Sequence, residues 1–519
     1  MAATVVELLR KGAATHGDHP AVVDGPTTIG FRELERVAHR VGRALLARGV
    51  APGDRVALWS PNRWEYVAAL LGAQCIGASV VPLNTRYKGH EAHQVLARSR
   101  ASTLVVARGF LGLDHLAMLV AAGAELDPAS DASWPGLPHL ALVVDLNASS
   151  GDDDRRVLGW EELLAGADAC DETVFGAALD AVGADTVADI MFTSGTTGLP
   201  KGVMSSHAQT VGAATTWADG ARLMPSDRYA VVNPFFHSFG YKAGILASLS
   251  AGATVLPVDV FDAVSLMELV ESRRVTVLPG PPTLFLGLLD HPRRPDFDLS
   301  SLRFATCGAT AVAERLFEDM VHVLGFDEVK QAYGLTECVV VTMSRHGEPL
   351  EHVRGTTGPP VPGLEVRLGD RDEILVRGPL VMIGYFEDPD ETARAIDAEG
   401  WLHTGDVGRI DEHGCLTIVD RIKDIVIVGG FNVSPVEVEN VLARHPAVAE
   451  SAVVGAPDER MGAVCHAHVV LRPGMAAEPD DLVAWLRERV ANYKVPRVVT
   501  LVDELPRNAA GKVLKTALS

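Results

Sequence analysis

Ten consecutive positions, Thr193-Ser194-Gly195-Thr196-Thr197-Gly198-Leu199-Pro200-Lys201-Gly202, carry four hydroxyl side chains, three glycines and a lysine. Glycine lets backbone N–H groups come close to an anion, hydroxyls donate further hydrogen bonds, and the lysine adds a point charge. That combination binds phosphate. It is not a Walker loop, which ends in G-K-S or G-K-T; here Lys201 stands between Pro200 and Gly202. Further along, Gln331-Ala332-Tyr333-Gly334-Leu335-Thr336-Glu337 offers a flat aromatic face, a hydroxyl and a hard carboxylate oxygen of the kind Mg²⁺ prefers. Taken alone, that segment reads equally well as a loop with a solvated glutamate.

The phosphate loop resembles the signature of the adenylate-forming superfamily, which spans acyl-CoA synthetases, adenylation domains of peptide synthetases and luciferases. Further motifs of that family follow in order along essentially the whole chain. The resemblance implies ATP as substrate, with Thr193, Ser194, Gly195, Thr196, Thr197 and Lys201 around its phosphates and Thr193 also taking part in catalysis. It puts Tyr333 and Gly334 against adenine, Thr336 at the α-phosphate and Glu337 on Mg²⁺. Gly308-Ala309-Thr310, after the apolar run LRFATC, would lie beside the adenine and the acyl chain, although glycine serves a plain tight turn equally well. In Gly400-Trp401-Leu402-His403-Thr404-Gly405-Asp406, the carboxylate of Asp406 resembles the ribose ligand, with Arg421 near the same sugar or the phosphates. Lys423 matches the hinge about which a small domain swings. Gly429 and Gly430 match the face that guides a thiol. Lys512, in Leu505-Pro506-Arg507-Asn508-Ala509-Ala510-Gly511-Lys512, matches the adenylation lysine. A point-like cation on a flexible stem suits charge that develops between a carboxylate and the α-phosphate.

The implied reaction is acid–thiol ligation. A carboxylate attacks the α-phosphorus of ATP, pyrophosphate leaves, and the acyl-adenylate passes its acyl group to coenzyme A. Two other readings stay open on sequence: a stand-alone adenylating enzyme that loads a carrier protein, and a non-catalytic paralogue that only holds an adenylate. Asn233-Pro234-Phe235-Phe236-His237-Ser238-Phe239-Gly240-Tyr241-Lys242 looks like the wall of the acyl pocket, with His237, Phe239, Tyr241, Lys242 and Gly308 expected to line it and His237 close to the reacting carboxylate. The polar pair Tyr241-Lys242 argues for a polar or keto-bearing acid. At closer range NPFFHSFGYKAGILASL, VTVLPGPPTLF and VVPLNTRY resemble an actinobacterial branch of ligases that act on the propanoate side chain left on the C and D rings of degraded steroids. Cys338-Val339-Val340-Val341 departs from the small polar residues expected of that branch, which keeps other polycyclic acids, terpenoid ones included, in play.

These groups need a scaffold to bring them together. Residues 31–48 place Leu34, Val37, Ala38, Val41, Ala44 and Leu45 at helical spacing, and Gly49 with Pro52-Gly53 ends that helix. RVALWS, SVVPL, TLVVA, ALVVDL, ATVLPV and RVTVLPG read as strands between helices, an α/β alternation that implies mostly parallel sheets covered by helices. After about residue 420 the pattern changes. A strand, a helix capped by Ser434 with Pro435 and Glu437, two strands, a helix and a strand imply a small, separate α+β unit, which the resemblance makes mobile. The expected division is 1–420 for ATP and the acid, and 421–519 for the mobile domain.

The chain has 519 residues, too many for one hydrophobic core. Lys+Arg 46 against Asp+Glu 67 gives a net charge of −21, which argues against nucleic acid as a partner. The six cysteines show no paired spacing and read as reduced thiols of a cytoplasmic protein. The uncharged run 67–83 contains Gln74, Gly77 and Pro82, so a buried helix followed by a strand is expected there and not a transmembrane segment. The partner is a small-molecule carboxylic acid; a homodimer is left open.

Overall fold

The computed structural model describes residues 3–126, 134–148, 156–193, 200–307, 314–421, 424–428, 431–458, 461–490, 492–507 and 513–518. Its largest sheet has eight strands, in the spatial order Gly384–Tyr385, Lys201–Ser206, Val187–Thr193, Ser79–Pro82, Arg55–Trp59, Thr103–Val106, Leu142–Asp145 and Val157–Gly159. From Val187–Thr193 outward to Val157–Gly159 every pairing is parallel. Parallel neighbours need a crossover, and the helices Trp64–Cys75 and Gly89–Ser99 supply two of them. Strands covered on both faces read as continuous apolar runs, and Ser79–Pro82 and Thr103–Val106 are buried at all positions.

The helix expected over 31–48 is Phe31–Ala47, and Leu34, Ala38, Val41, Ala44 and Leu45 are its buried face. Trp64–Cys75 is buried from Glu65 to Cys75, and the chain then enters Ser79–Pro82. Among the described residues no helix is long and apolar enough to cross a membrane. These two helices share one core with a second sheet, Arg228–Val231, Thr254–Pro257, Pro20–Asp24 and Thr27–Gly30. The strand expected from RVTVLPG is reduced to bridges. Val277 joins Tyr229 to Phe304, and Gly280 meets Cys307. The six cysteines are buried free thiols.

An antiparallel sheet of Glu365–Leu368, Glu373–Arg377, Leu402–Ile410 and Leu416–Arg421 follows. After it come Val426–Val428 and Phe431–Val433, the helix Pro435–Ala443, the long pair Val448–Asp458 and Gly462–Leu471, the helix Pro479–Arg487 and the strand Val498–Leu501. Where one strand was expected before the first of these helices there is a hairpin of two. Ser434 caps that helix, accepting from the Glu437 amide at 3.3 Å. The Glu437 carboxylate does not complete a capping box; Lys494 draws it away at 2.6 Å.

Candidate active site

The phosphate loop leaves and re-enters the sheet at one rung. Val187–Thr193 and Lys201–Ser206 form an antiparallel hairpin with Thr193 opposite Lys201. The loop therefore opens at the carboxyl end of a strand in an α/β sheet, where ligands of such sheets bind. Ser194, Gly195, Thr196 and Thr197 lie outside the described residues, as do Gly308, Ala309, Thr310, Lys423, Gly429, Gly430 and Lys512.

Lys201 and Glu337, 136 residues apart by their numbers, are linked through a residue that sequence reasoning missed. The Lys201 ammonium pairs with Glu391 and lies 5.3 Å from the centre of the Tyr385 ring. The Tyr385 hydroxyl donates to Glu337 Oε1 at 2.8 Å. Burial, with the Glu337 charge beside it, pushes the Tyr385 phenol up, so the hydroxyl stays protonated and keeps donating. Strand Gly384–Tyr385 pairs with Lys201–Ser206, which is what brings Tyr385 alongside. Glu391 sits in the first turn of helix Pro389–Ala395, capped by Asp388. Thr336 and Glu337 form the two-residue turn between Ala332–Leu335 and Cys338–Met343, since Leu335 pairs with Cys338. A Cβ on Gly334 would fall 2.0 Å from the Val339 carbonyl oxygen, so only glycine fits this rung. Cys338 is buried, and burial holds its thiol up at about 12, so it packs as an apolar side chain behind Glu337.

The residues expected at adenosine converge in the same way. The Tyr333 hydroxyl donates to Asp406 Oδ2 at 2.6 Å, so the aromatic face and the carboxylate form one unit. Asp406 is buried, and its amide donates to Thr404 Oγ1 at 3.1 Å. Asp406 and Arg421 are cross-strand partners; the Arg421 side chain lies outside the described residues.

His237 caps the short helix Ser238–Gly240, its Nδ1 accepting from the Phe239 amide at 3.1 Å. That bond fixes the neutral tautomer with the proton on Nε2. The residue is exposed, and partial loss of hydration lowers its pKa. His237 is thus a neutral N–H donor. The segment before it hangs on Asn62, a residue outside every sequence motif named above. Asn62 Nδ2 donates to Val231 and Asn233 at 3.0 Å and to Val258 at 2.9 Å, and its Oδ1 accepts from the Phe235 amide at 2.7 Å. Phe239 packs edge-on to Trp217, ring centres 5.0 Å apart.

Tyr241 and Lys242 are not free to face an acid. Both are buried; the Tyr241 hydroxyl accepts from Gln74 at 2.6 Å, and the Lys242 ammonium lies 3.0 Å from Asp189 and 2.9 Å from Ser205. This corrects the expectation that the pair lines the acyl pocket. A charge sealed in the interior is costly without an opposite one, and the fold supplies a carboxylate behind the wall.

A family model described as AMP-binding enzyme matches residues 9–386, and one described as AMP-binding enzyme C-terminal domain matches 437–512. The chain belongs to the AMP-binding enzyme family. It is 49% identical over 516 residues to a coenzyme A ligase for a 7a-methyl-1,5-dioxo-octahydro-inden-4-yl propanoate from Rhodococcus jostii (strain RHA1), covering 99% of this chain and 98% of the relative. A ligase of the same name from Mycobacterium tuberculosis (strain ATCC 25618 / H37Rv) is 48% identical over 503 residues, covering 96% of this chain and 95% of the relative. Among solved structures, ATP-bound MatB from Rhodopseudomonas palustris superposes with a TM-score of 0.85 at 28% identity, covering 100% of this chain and 98% of that one. The chain is an acyl-CoA synthetase.

Proposed function

We propose that this synthetase activates a fused-ring keto acid of the methyl-dioxo-octahydroindenyl propanoate type and transfers it to coenzyme A. The observation that carries the substrate class is near-half identity, end to end, to two ligases named for that acid. The acid's carboxylate oxygen attacks the α-phosphorus of ATP and pyrophosphate leaves. The thiol of coenzyme A then adds to the acyl carbon, AMP departs and the thiol proton is released.

The residues divide this work. Tyr333 and Asp406, already joined by a hydrogen bond, offer a face for adenine and an acceptor for ribose hydroxyls. The neutral His237, with Nε2–H as donor, suits an oxygen of the bound carboxylate without adding a competing charge. Thr193, Thr336 and Lys201 stand for the phosphates, and Lys512 for the charge that grows in the transition state. Glu337 fits Mg²⁺: its carboxylate is half-buried on a tight turn and oriented by Tyr385, a hard oxygen donor beside the phosphate hairpin. A cation bound there would offset polyphosphate charge. Lys423 as hinge and Gly429-Gly430 as thiol-transfer face complete the reading.

Pyrophosphate release measured over fatty, aryl, steroid-derived and terpenoid acids, with and without coenzyme A, tests it. The dioxo-indenyl propanoate should give the highest kcat/KM and a thioester product. Turnover confined to another acid class refutes the substrate, and an acyl-adenylate that free coenzyme A fails to consume refutes the acceptor.

A further inference from the structure

Behind the acyl wall lies a buried polar cluster that the mechanism above leaves unused. Lys242 is 1% exposed, and its ammonium donates to Ser205 Oγ at 2.9 Å and stands 3.0 Å from Asp189 Oδ1. Alignment on Oδ1 is too poor for a hydrogen bond, so this contact is an ion pair. Oδ2 of the same carboxylate accepts from Thr210 at 2.6 Å and from the Tyr241 hydroxyl at 3.5 Å. Asp189 and Ser205 are cross-strand partners in the hairpin that carries the phosphate loop. One cation therefore ties both strands at a single rung. Four residues further along each strand, roughly 13 Å at about 3.3 Å per residue, is the Thr193–Lys201 rung where the loop opens.

The other end of the bridge belongs to the acyl wall. Lys242 lies in the π-helical turn Tyr241–Leu246, which begins directly after the helix capped by His237. In that wider turn two consecutive residues, Tyr241 and Lys242, reach the two oxygens of one carboxylate. Turns of this kind are frequent at functional sites. The arrangement joins the segment read as presenting the acid to the hairpin that carries the phosphate loop, through groups sealed inside the protein.

We propose that Lys242 is a positioning residue for adenylation, whose buried bridge to Asp189 and Ser205 sets the His237–Phe239 segment in place against the phosphate hairpin. The proposal rests on the acyl-adenylate reading. Reacting groups displaced by about an ångström lose about 10² in rate, so the bridge acts on kcat and leaves the affinity of each substrate largely alone.

The test uses the full chain and ATP–pyrophosphate exchange, with wild type alongside. Lys242→Met with Asp189→Asn replaces the ion pair by neutral side chains of similar size, Ser205→Ala removes one arm and keeps the charges paired, and Lys242→Arg keeps a cation. Expected is a folded double variant whose KM for acid and for ATP each stay within about twofold while kcat falls about tenfold or more. Ser205→Ala should lose about threefold in kcat while staying fully folded at the assay temperature, and Lys242→Arg should regain part of the double variant's loss. A folded double variant with wild-type kcat overturns the proposal, as does a loss confined to the KM of the acid, which would make Lys242 a substrate contact. If the double variant does not fold, Ser205→Ala decides, and an unaltered kcat there refutes the role. No exchange by wild type with any acid would sink the adenylation reading itself, and this role with it.

Discussion

Replacing Tyr385 by Phe deletes one oxygen and keeps the ring against which Lys201 rests. The change therefore isolates the 2.8 Å hydrogen bond to Glu337. A bond to a charged acceptor is worth about 1.5–3 kcal/mol net. Both side chains are half-buried, so water can replace part of what is lost, and the lower value applies. At about 1.36 kcal/mol per decade, ATP–pyrophosphate exchange at saturating acid should fall about tenfold. The tyrosine acts through the carboxylate, so the effect should shrink in a Glu337→Gln background, where that charge is gone. The double-mutant cycle reads this directly as a coupling of about 1 kcal/mol or more. Wild-type exchange in Tyr385→Phe, or the same tenfold loss in both backgrounds, would refute the chain of contacts from Lys201 to Glu337.

Tyr333→Phe removes the 2.6 Å donor that holds Asp406; the KM for ATP should rise about tenfold with a smaller change in kcat, and an unaltered KM would separate Asp406 from nucleotide binding. His207 is fully buried at the start of helix His207–Gly220, its Nδ1 accepting from the Val5 amide at 3.2 Å, and burial holds its pKa down at about 4. The unfolded chain takes up that proton near pH 6.5 and the folded chain only near 4, so stability is full above 6.5 and falls through that window by up to about 3 kcal/mol. Urea titrations of wild type and His207→Gln from pH 7 to 4.5 should converge as pH falls, and parallel curves would refute the assignment. Lys512→Ala should cut pyrophosphate exchange about 10²–10³-fold while sparing thiol transfer from supplied acyl-adenylate, and unchanged exchange would remove Lys512 from the first step. Lys423→Pro, by restricting the backbone at the expected hinge, should leave one half-reaction and stop the other; two near-normal half-reactions would rule the hinge out.

Much of the scaffold was legible because its signals are local. Apolar runs of four or five residues between helical patterns mark the parallel strands, and the spacing of Leu34, Ala38, Val41 and Leu45 marks the buried face of one helix. RVTVLPG failed as a strand because pairing needs neighbours in register, and there only Val277 and Gly280 find them. Glu437 was read as half of a capping box, yet an ammonium 57 residues away attracts its carboxylate more strongly than a single amide does.

The family, the phosphate loop and the candidate nucleotide residues follow from the order of residues alone, because loop chemistry is written in consecutive side chains. Their mutual placement does not. Tyr385 reaches Glu337 only because a two-residue strand joins the edge of the hairpin, and Asn62 steadies the His237 segment across 169 to 196 residues of chain. Lys242 shows the division most sharply. By sequence it is a polar residue on an acyl wall, and by structure it is an ammonium sealed against Asp189. Which way a side chain points depends on the turn that carries it and on the carboxylate the fold brings near, and neither is encoded within reach of the residue itself.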